Sequence, residues 1–169
     1  VLLRSNEKGS ARWQEARQWL EASAAQGIPM ANYYLGLSYN FDYFGEKDIT
    51  KAYEAYLYAA QHYNKHAQLK VGYFNDMGLG IARNESQAMS WYFLCSKSGN
   101  LICTRNLALN FQLGKVVEKN LSLAMEIYDN LCQKKDGEAC MFLGNLYRKG
   151  DGKDLAQDHQ KANELYRQS

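Results

Sequence analysis

Apolar residues recur along this chain with helical spacing. In the stretch from Ala31 to Phe41, the residues Ala31, Leu35, Gly36 and Tyr39 fall at i, i+4, i+5 and i+8, one stripe of a 3.6-residue period. From Lys51 to Ala60 the stripe returns as Ala52, Ala55, Tyr56 and Ala59, so the pattern predicts two helices, A then B. The pair then repeats. Gly36, Gly72, Ala108 and Gly144 stand 36 residues apart, each inside an apolar run that follows the outline LGxxYxxG in part, and in full at Leu143 to Gly150. Ala16, Ala52, Ala88 and Ala124 keep the same period, Ala162 arrives two residues late, and Leu20, Tyr56, Tyr92, Tyr128 and Tyr166 follow four residues behind each alanine. A period of about 20 to 50 residues marks stacked helical or mixed units, none of which can bury its apolar face alone.

Turn chemistry separates the helices. Gly45, Gly78 with Gly80, Gly114, and Gly150 with Gly152 follow the A helices, where a left-handed C-terminal residue is wanted. Asp48, Asn84, Asn120 and Asp158 precede the B-helix alanines as N-caps would. Pro29, the only proline, suits the first turn of an A helix, where its missing N–H costs nothing. The resulting map puts B helices at about 11–25, 48–62, 84–97, 120–133 and 157–168, and A helices at about 30–41, 66–77, 102–113 and 138–149. Shifting the register back by 36 places Leu3 on Tyr39 and Gly9 on Gly45, so the first residues read as the end of an A helix. The chain opens Val1, Leu2, Leu3, with no initiator methionine, and ends within a B helix with no polar capping helix. Further repeats or a separate anchor are therefore expected to flank it, and any signal peptide to have been removed or to lie outside this sequence.

The segments ACxFLGNLYRKGDG at Ala139 to Gly152, QLKVGYFNDMGLGIARNESQAMSWYFLCSKSGN at Gln68 to Asn100, and KAxxxY at Lys51 to Tyr56 resemble the Sel-1-like repeat, a relative of the tetratricopeptide repeat. The likeness covers nearly the whole chain. It divides residues 1–169 into one array: a partial unit 1–29 and units 30–65, 66–101, 102–136 and 137–169. Three departures are visible: Ala108 replaces the glycine in the third unit, the first turn reads Phe44, Gly45, Glu46 without a GxG pair, and the fourth linker is two residues longer. The resemblance implies an all-α fold, a right-handed alpha/alpha superhelical solenoid of antiparallel helix pairs with A helices on the concave side, used mainly as a protein-binding adaptor.

The four cysteines form two pairs, Cys95 with Cys103 and Cys132 with Cys140, each eight apart and each running from late helix B across the turn into the next helix A. Antiparallel neighbours joined by a short turn bring such positions within the roughly 4.4–6.8 Å Cα separation that a disulfide needs. Buried free thiols fit the same pattern, and zinc fits it less well because short CxxC knuckles are missing. The resemblance extends to a cysteine-rich bacterial subgroup in which a CxxxxxxxC pair staples each repeat. Cys132 and Cys140 match that subgroup's register, whereas Cys95 and Cys103 sit one residue earlier. If both bridges form, the expected location is an oxidising compartment, periplasmic or secreted.

Composition narrows the alternatives. No run approaches the ~18 apolar residues of a membrane span. A net charge of +2, evenly interspersed, argues against a nucleic-acid partner.

Candidate chemistry is sparse. His62 and His66 are four apart, but Asn64 and Lys65 mark a turn between them, which favours an exposed, unliganded pair; His159 stands alone. Ser5 and Lys8 read SxxK, the spacing of serine-activating enzymes, without the partner motifs. Asp151, Asp154 and Asp158 form an acidic loop too short of ordered oxygens for calcium. No catalytic residue, metal or cofactor is therefore assigned, and a small-molecule ligand is not expected.

With the packing stripe turned inward, the opposite side of the A helices carries Tyr34, Leu37 and Phe41, then Lys70, Tyr73, Phe74 and Met77, then Asn106, Leu109 and Leu113, then Phe142, Asn145 and Lys149. Aromatic and aliphatic residues with a few amides and lysines are the mix that interface hot spots favour. Two readings stay open here: a groove that binds a protein or peptide through Tyr34, Leu37, Phe41, Tyr73, Phe74, Met77, Leu109, Leu113 and Phe142, or core packing by the same residues. The functional expectation is a non-catalytic protein-interaction module, an exported bacterial adaptor or virulence-associated factor. A periplasmic immunity protein that neutralises a secreted toxin is the alternative, followed by a structural scaffold. The resemblance to the cysteine-rich subgroup also implies, at a lower level, penicillin binding with weak beta-lactam hydrolysis.

Overall fold

The computed structural model describes residues 11–45, 47–150 and 155–169, which form nine α-helices with no strand among them. They are α1 Ala11–Ala25, α2 Pro29–Phe41, α3 Ile49–Gln61, α4 Lys65–Met77, α5 Glu85–Lys97, α6 Leu101–Leu113, α7 Leu121–Gln133, α8 Gly137–Lys149 and α9 His159–Tyr166. Odd-numbered helices up to α5, with α7 and α9, are the predicted B helices; α2, α4, α6 and α8 are the A helices. Two compact units divide the chain: Val1–Ser98, which holds α1 to α5, and Gly99–Ser169, which holds α6 to α9.

In the first unit the period of small residues and tyrosines becomes a contact. A Cβ added at Gly36 would stand 2.5 Å from Tyr56 Cδ1, and one at Gly72 would stand 2.7 Å from Tyr92 Cε1. Each glycine therefore exists to let the ring of the following B helix lie against the A-helix backbone. Tyr56, Ala52, Ala59, Ala60, Ala67, Val71 and Phe74 form the core between α3 and α4. In the second unit Gly144 takes the ring of Tyr166 in the same way, a Cβ there coming within 2.7 Å of Tyr166 Cε1. Ala108 and Tyr128, both without solvent exposure, lie in one core cluster with Leu131, Leu143 and Leu146. The substitution of alanine in the third repeat is thus accommodated.

The helix starts obey the capping pattern. Asp48, Asn84, Asn120 and Asp158 each accept a hydrogen bond from the backbone N–H three residues on, at 2.8–3.0 Å. Each of the four also donates its own N–H to a carbonyl near the end of the preceding A helix: Tyr39, Asn75, Phe111 and Tyr147, at 2.8–3.1 Å. That second bond ties the starts of α3, α5, α7 and α9 to the A helices before them. The A helices are capped too, by Asn64, Asn100 and Asp136, residues 36 apart whose role the sequence reading passed over. Pro29 occupies the start of α2, where Ile28 supplies no side-chain cap.

One expectation about turns fails. Gly78 and Gly114 are the left-handed C-caps of α4 and α6, but α2 is closed by Asp42, at φ 56°, and not by Gly45. An aspartate tolerates this conformation because its short polar side chain can bond locally. Gly45, at φ 78°, serves the loop beyond. The readings made for Leu3 to Gly9 and for Gly152 fall outside the described residues.

Candidate partner-binding face

The A helices of the first unit present one exposed apolar strip. Tyr34 and Phe41 on α2, Tyr43 just after it, and Tyr73 and Met77 on α4 are 44–54% exposed. Phe41 and Tyr43 stack with ring centroids 5.9 Å apart, and Lys70 from α4 places its Nζ 5.8 Å from the centre of the Phe41 ring. Tyr33 stands behind them, 5.5 Å from the Tyr34 ring. Its phenol is held above the ordinary tyrosine range, first by burial and then by the neighbouring Tyr34 and Tyr43 hydroxyls. The exposed face combines the Phe41 ring with the phenolic hydroxyls of Tyr34, Tyr43 and Tyr73.

Other expected members of the site lie deeper. Phe74 is 1% exposed and packs edge-on against Tyr56 at 5.4 Å, so it belongs to the core. Its register explains this: Ser38, Phe74, Asn110 and Leu146 stand 36 apart and all are buried. Among the residues read as outward-facing, Phe74 was the only one at that register. Leu37 is half-buried against the first unit's core. In the second unit Leu113 is half exposed, Leu109 is partly buried, and Phe142 leans on the core with its ring 5.6 Å from Tyr128. Phe41, Met77 and Leu113, again 36 apart, are the consistently exposed apolar position.

Several features were not read from sequence. Tyr43 escaped because it lies in a turn, beyond the helical stripe. Arg105 makes a two-pronged ion pair with Asp136, both contacts 2.8 Å, and also pairs with Glu138. A charge on α6 that pairs with two at the start of α8 leaves no trace at the repeat interval in one sequence.

The second unit contains the Cys132–Cys140 disulfide, with an S–S distance of 2.01 Å and Cα atoms 4.7 Å apart. Cys95 and Cys103 are disulfide-bonded as well, and no cysteine is free. The expectation of oxidised cysteines holds; the thiol and zinc alternatives do not.

The histidines are placed by packing. His62 follows α3, its ring stacked on Tyr58 at 4.2 Å and its Nδ1 2.8 Å from the Tyr58 carbonyl, while His66 lies 5.8 Å from the Tyr33 ring. His159 begins α9, exposed. Among the described residues no three His, Cys, Asp or Glu side chains gather as a metal site. Asp158 caps α9, whereas Ser5, Lys8, Asp151 and Asp154 lie outside the described residues.

Comparison with known proteins agrees with this geometry. The model of the Sel1 repeat matches residues 14–28, 29–64, 65–100, 102–136 and 137–169. The chain belongs to the Sel1 repeat family. A crystal structure of a Sel1 repeat protein from Oxalobacter formigenes superposes with a TM-score of 0.81 at 31% identity, covering 90% of this chain and 62% of that one. A protective antigen present in uropathogenic Escherichia coli strains shares the fold, with a TM-score of 0.77 at 24% identity over 89% of this chain and 32% of its own. An uncharacterized protein of Neisseria meningitidis serogroup B is 30% identical over 147 residues, 87% of this chain and 30% of that protein. The chain thus spans less than two thirds of each of these relatives. Sel1 repeats are all-α solenoids that serve in general as protein-interaction modules and are generally non-catalytic. No helix among the described residues is long and apolar enough to cross a membrane.

Proposed function

We propose that this Sel1 repeat chain is a non-catalytic module that holds a protein or peptide partner on its A-helix face, within an exported bacterial adaptor or virulence-associated factor. The carrying observation is the strip of half-exposed rings, Tyr34, Phe41, Tyr43 and Tyr73 with Met77, in the first unit. Aromatic side chains supply a large contact area at small entropic cost, and a face that served only solvation would carry charge at these positions. Leu113, Leu109 and Phe142 are the corresponding candidates in the second unit. The cystines support an oxidising compartment, periplasmic or secreted, because such bonds persist there and are reduced in the cytosol. The same compartment is compatible with a second reading, a periplasmic immunity protein that neutralises a secreted toxin.

A photo-crosslinking residue at position 73, and separately at position 54 on helix α3, tests the reading in intact source cells. The expected result is a discrete protein adduct from position 73 and none from position 54. Adducts from position 54 alone would contradict it. A toxin as the captured species would select the immunity reading over the adaptor.

A further inference from the structure

Beside the aromatic face of the first unit stand cations that, among the described residues, have no ion-pair partner. Helix α2 contains no charged residue at all. Helix α4 brings Lys65, exposed, and Lys70, half-buried; among the described residues neither has a carboxylate partner within ion-pair distance. Lys70 rests instead over the Phe41 ring. Asp42 and Asp76 stand at the C-terminal ends of the two helices, and both are engaged in interactions of their own. An ammonium 5.8 Å from the centre of an aromatic ring is attracted only modestly by it. A carboxylate arriving across the face would gain a charge-assisted bond in a partly desolvated setting.

We propose that this face selects an acidic protein segment: an extended stretch bearing aspartate or glutamate around one aromatic or aliphatic anchor. The anchor lies among Tyr34, Phe41 and Tyr73, and a flanking carboxylate pairs with Lys70 while Lys65 adds longer-range attraction. Charge complementarity of this kind sets specificity and association rate more than raw affinity. The inference rests on the proposed binding face and names the chemistry of its partner.

Short fluorescein-labelled peptides of glutamate and glycine, with one central phenylalanine, test it by anisotropy. The expected result is salt-sensitive binding that drops roughly tenfold or more when lysine replaces glutamate in the peptide, or when Lys70→Glu is made in the protein. The lysine peptide should prefer the Lys70→Glu protein to the native one. Lys70→Gln, with its melting temperature compared, guards against a folding defect and should give an intermediate loss. Equal binding of both peptides, or full affinity in folded Lys70→Glu, would overturn the proposal, as would self-association of the protein through Phe41 in place of peptide binding. Crosslinks from position 73 without any charge preference would sink this inference and leave the binding face standing; loss of those crosslinks would sink both.

Discussion

Gln68 donates its side-chain amide to the carbonyl of Ala60, 3.3 Å away and eight residues earlier, at the place in the turn between α3 and α4 that Cys132–Cys140 occupies between α7 and α8. Ala60 and Gln68 lie 72 residues, two repeats, before the two cysteines. Asn32 does the same one repeat earlier, its Nδ2 3.1 Å from the Ala24 carbonyl. One site in the repeat thus accepts two kinds of staple, a hydrogen bond or a covalent bond.

The two staples should differ in strength and in redox response. Replacing both Cys132 and Cys140 by serine is expected to cost about 2–3 kcal/mol, whereas Gln68→Leu should cost about 1 kcal/mol. Ala60→Cys combined with Gln68→Cys should form a new disulfide and raise the melting temperature under oxidising conditions. Hydrogen exchange with and without a reductant should show loosening of α7 and α8 while α3 and α4 hold. Uniform loosening of the whole chain would contradict the equivalence.

The turns from B to A helices carry a second regularity. Gly27, Tyr63, Gly99 and Lys135, spaced by 36, all have positive φ, between 64° and 78°. Only the two glycines adopt it without strain. Tyr63→Gly and Lys135→Gly should each stabilise by roughly 0.5–1 kcal/mol, after allowing for the added freedom of glycine in the unfolded chain. Thermal melts check this, and a fall in stability for both would refute it.

High pH should unfold the chain through three tyrosines. Tyr56, Tyr92 and Tyr128 are buried, and burial raises each above its ordinary value of 10.0. The fold favours the neutral phenol, so this contribution is fully present below pH 10 and is lost as pH rises beyond it, when the unfolded chain ionises and the folded one does not. Tyrosinate absorbance should show an early exposed class and a late class that appears together with loss of helicity. A single smooth titration of all 13 tyrosines with the helices intact would contradict the burial.

Arg105 and Asp136 are both nearly out of solvent, their side chains 11% and 8% exposed, and Asp136 also caps α8 through Ala139. Arg105→Ala should destabilise by about 2–3 kcal/mol, because it strands a buried carboxylate. Arg105→Met with Asp136→Asn, which keeps the cap and removes both charges, should recover most of that loss. Chemical denaturation of the two variants compares them directly, and equal losses would show that the ion pair itself is the stabilising element.

Helix positions and caps were legible because they depend on local chemistry repeated at a fixed interval. The periods of Gly36 and of Tyr56, Asp48 at its cap and Pro29 at its helix start were readable from spacing and residue chemistry, whereas the contact of Gly36 with Tyr56 was not. The face was only half legible. A helical stripe separates two sides of a cylinder, yet Phe74 sits on the flank where the neighbouring helix covers it, and coverage depends on packing that one helix does not encode. Its fixed register with Ser38, Asn110 and Leu146 held the missing signal. Asp42 shows the other limit: a non-glycine can take a left-handed cap when the chain reverses there, and no composition rule marks it.

The most direct test of the binding face measures affinity and melting temperature together for Phe41→Ala, Tyr73→Ala, Phe74→Ala, Lys51→Ala and Glu54→Ala, against the partner recovered by crosslinking at position 73. Truncating Phe41 or Tyr73 should weaken binding by about 2 kcal/mol or more with little change in melting temperature, while Lys51 and Glu54 should each matter by well under ~1 kcal/mol. Phe74→Ala, a core truncation, should lower stability by about 3–5 kcal/mol and leave the affinity of the folded fraction alone. If Phe41→Ala and Tyr73→Ala instead lower the melting temperature and spare affinity, those rings are core and the face is not the binding site.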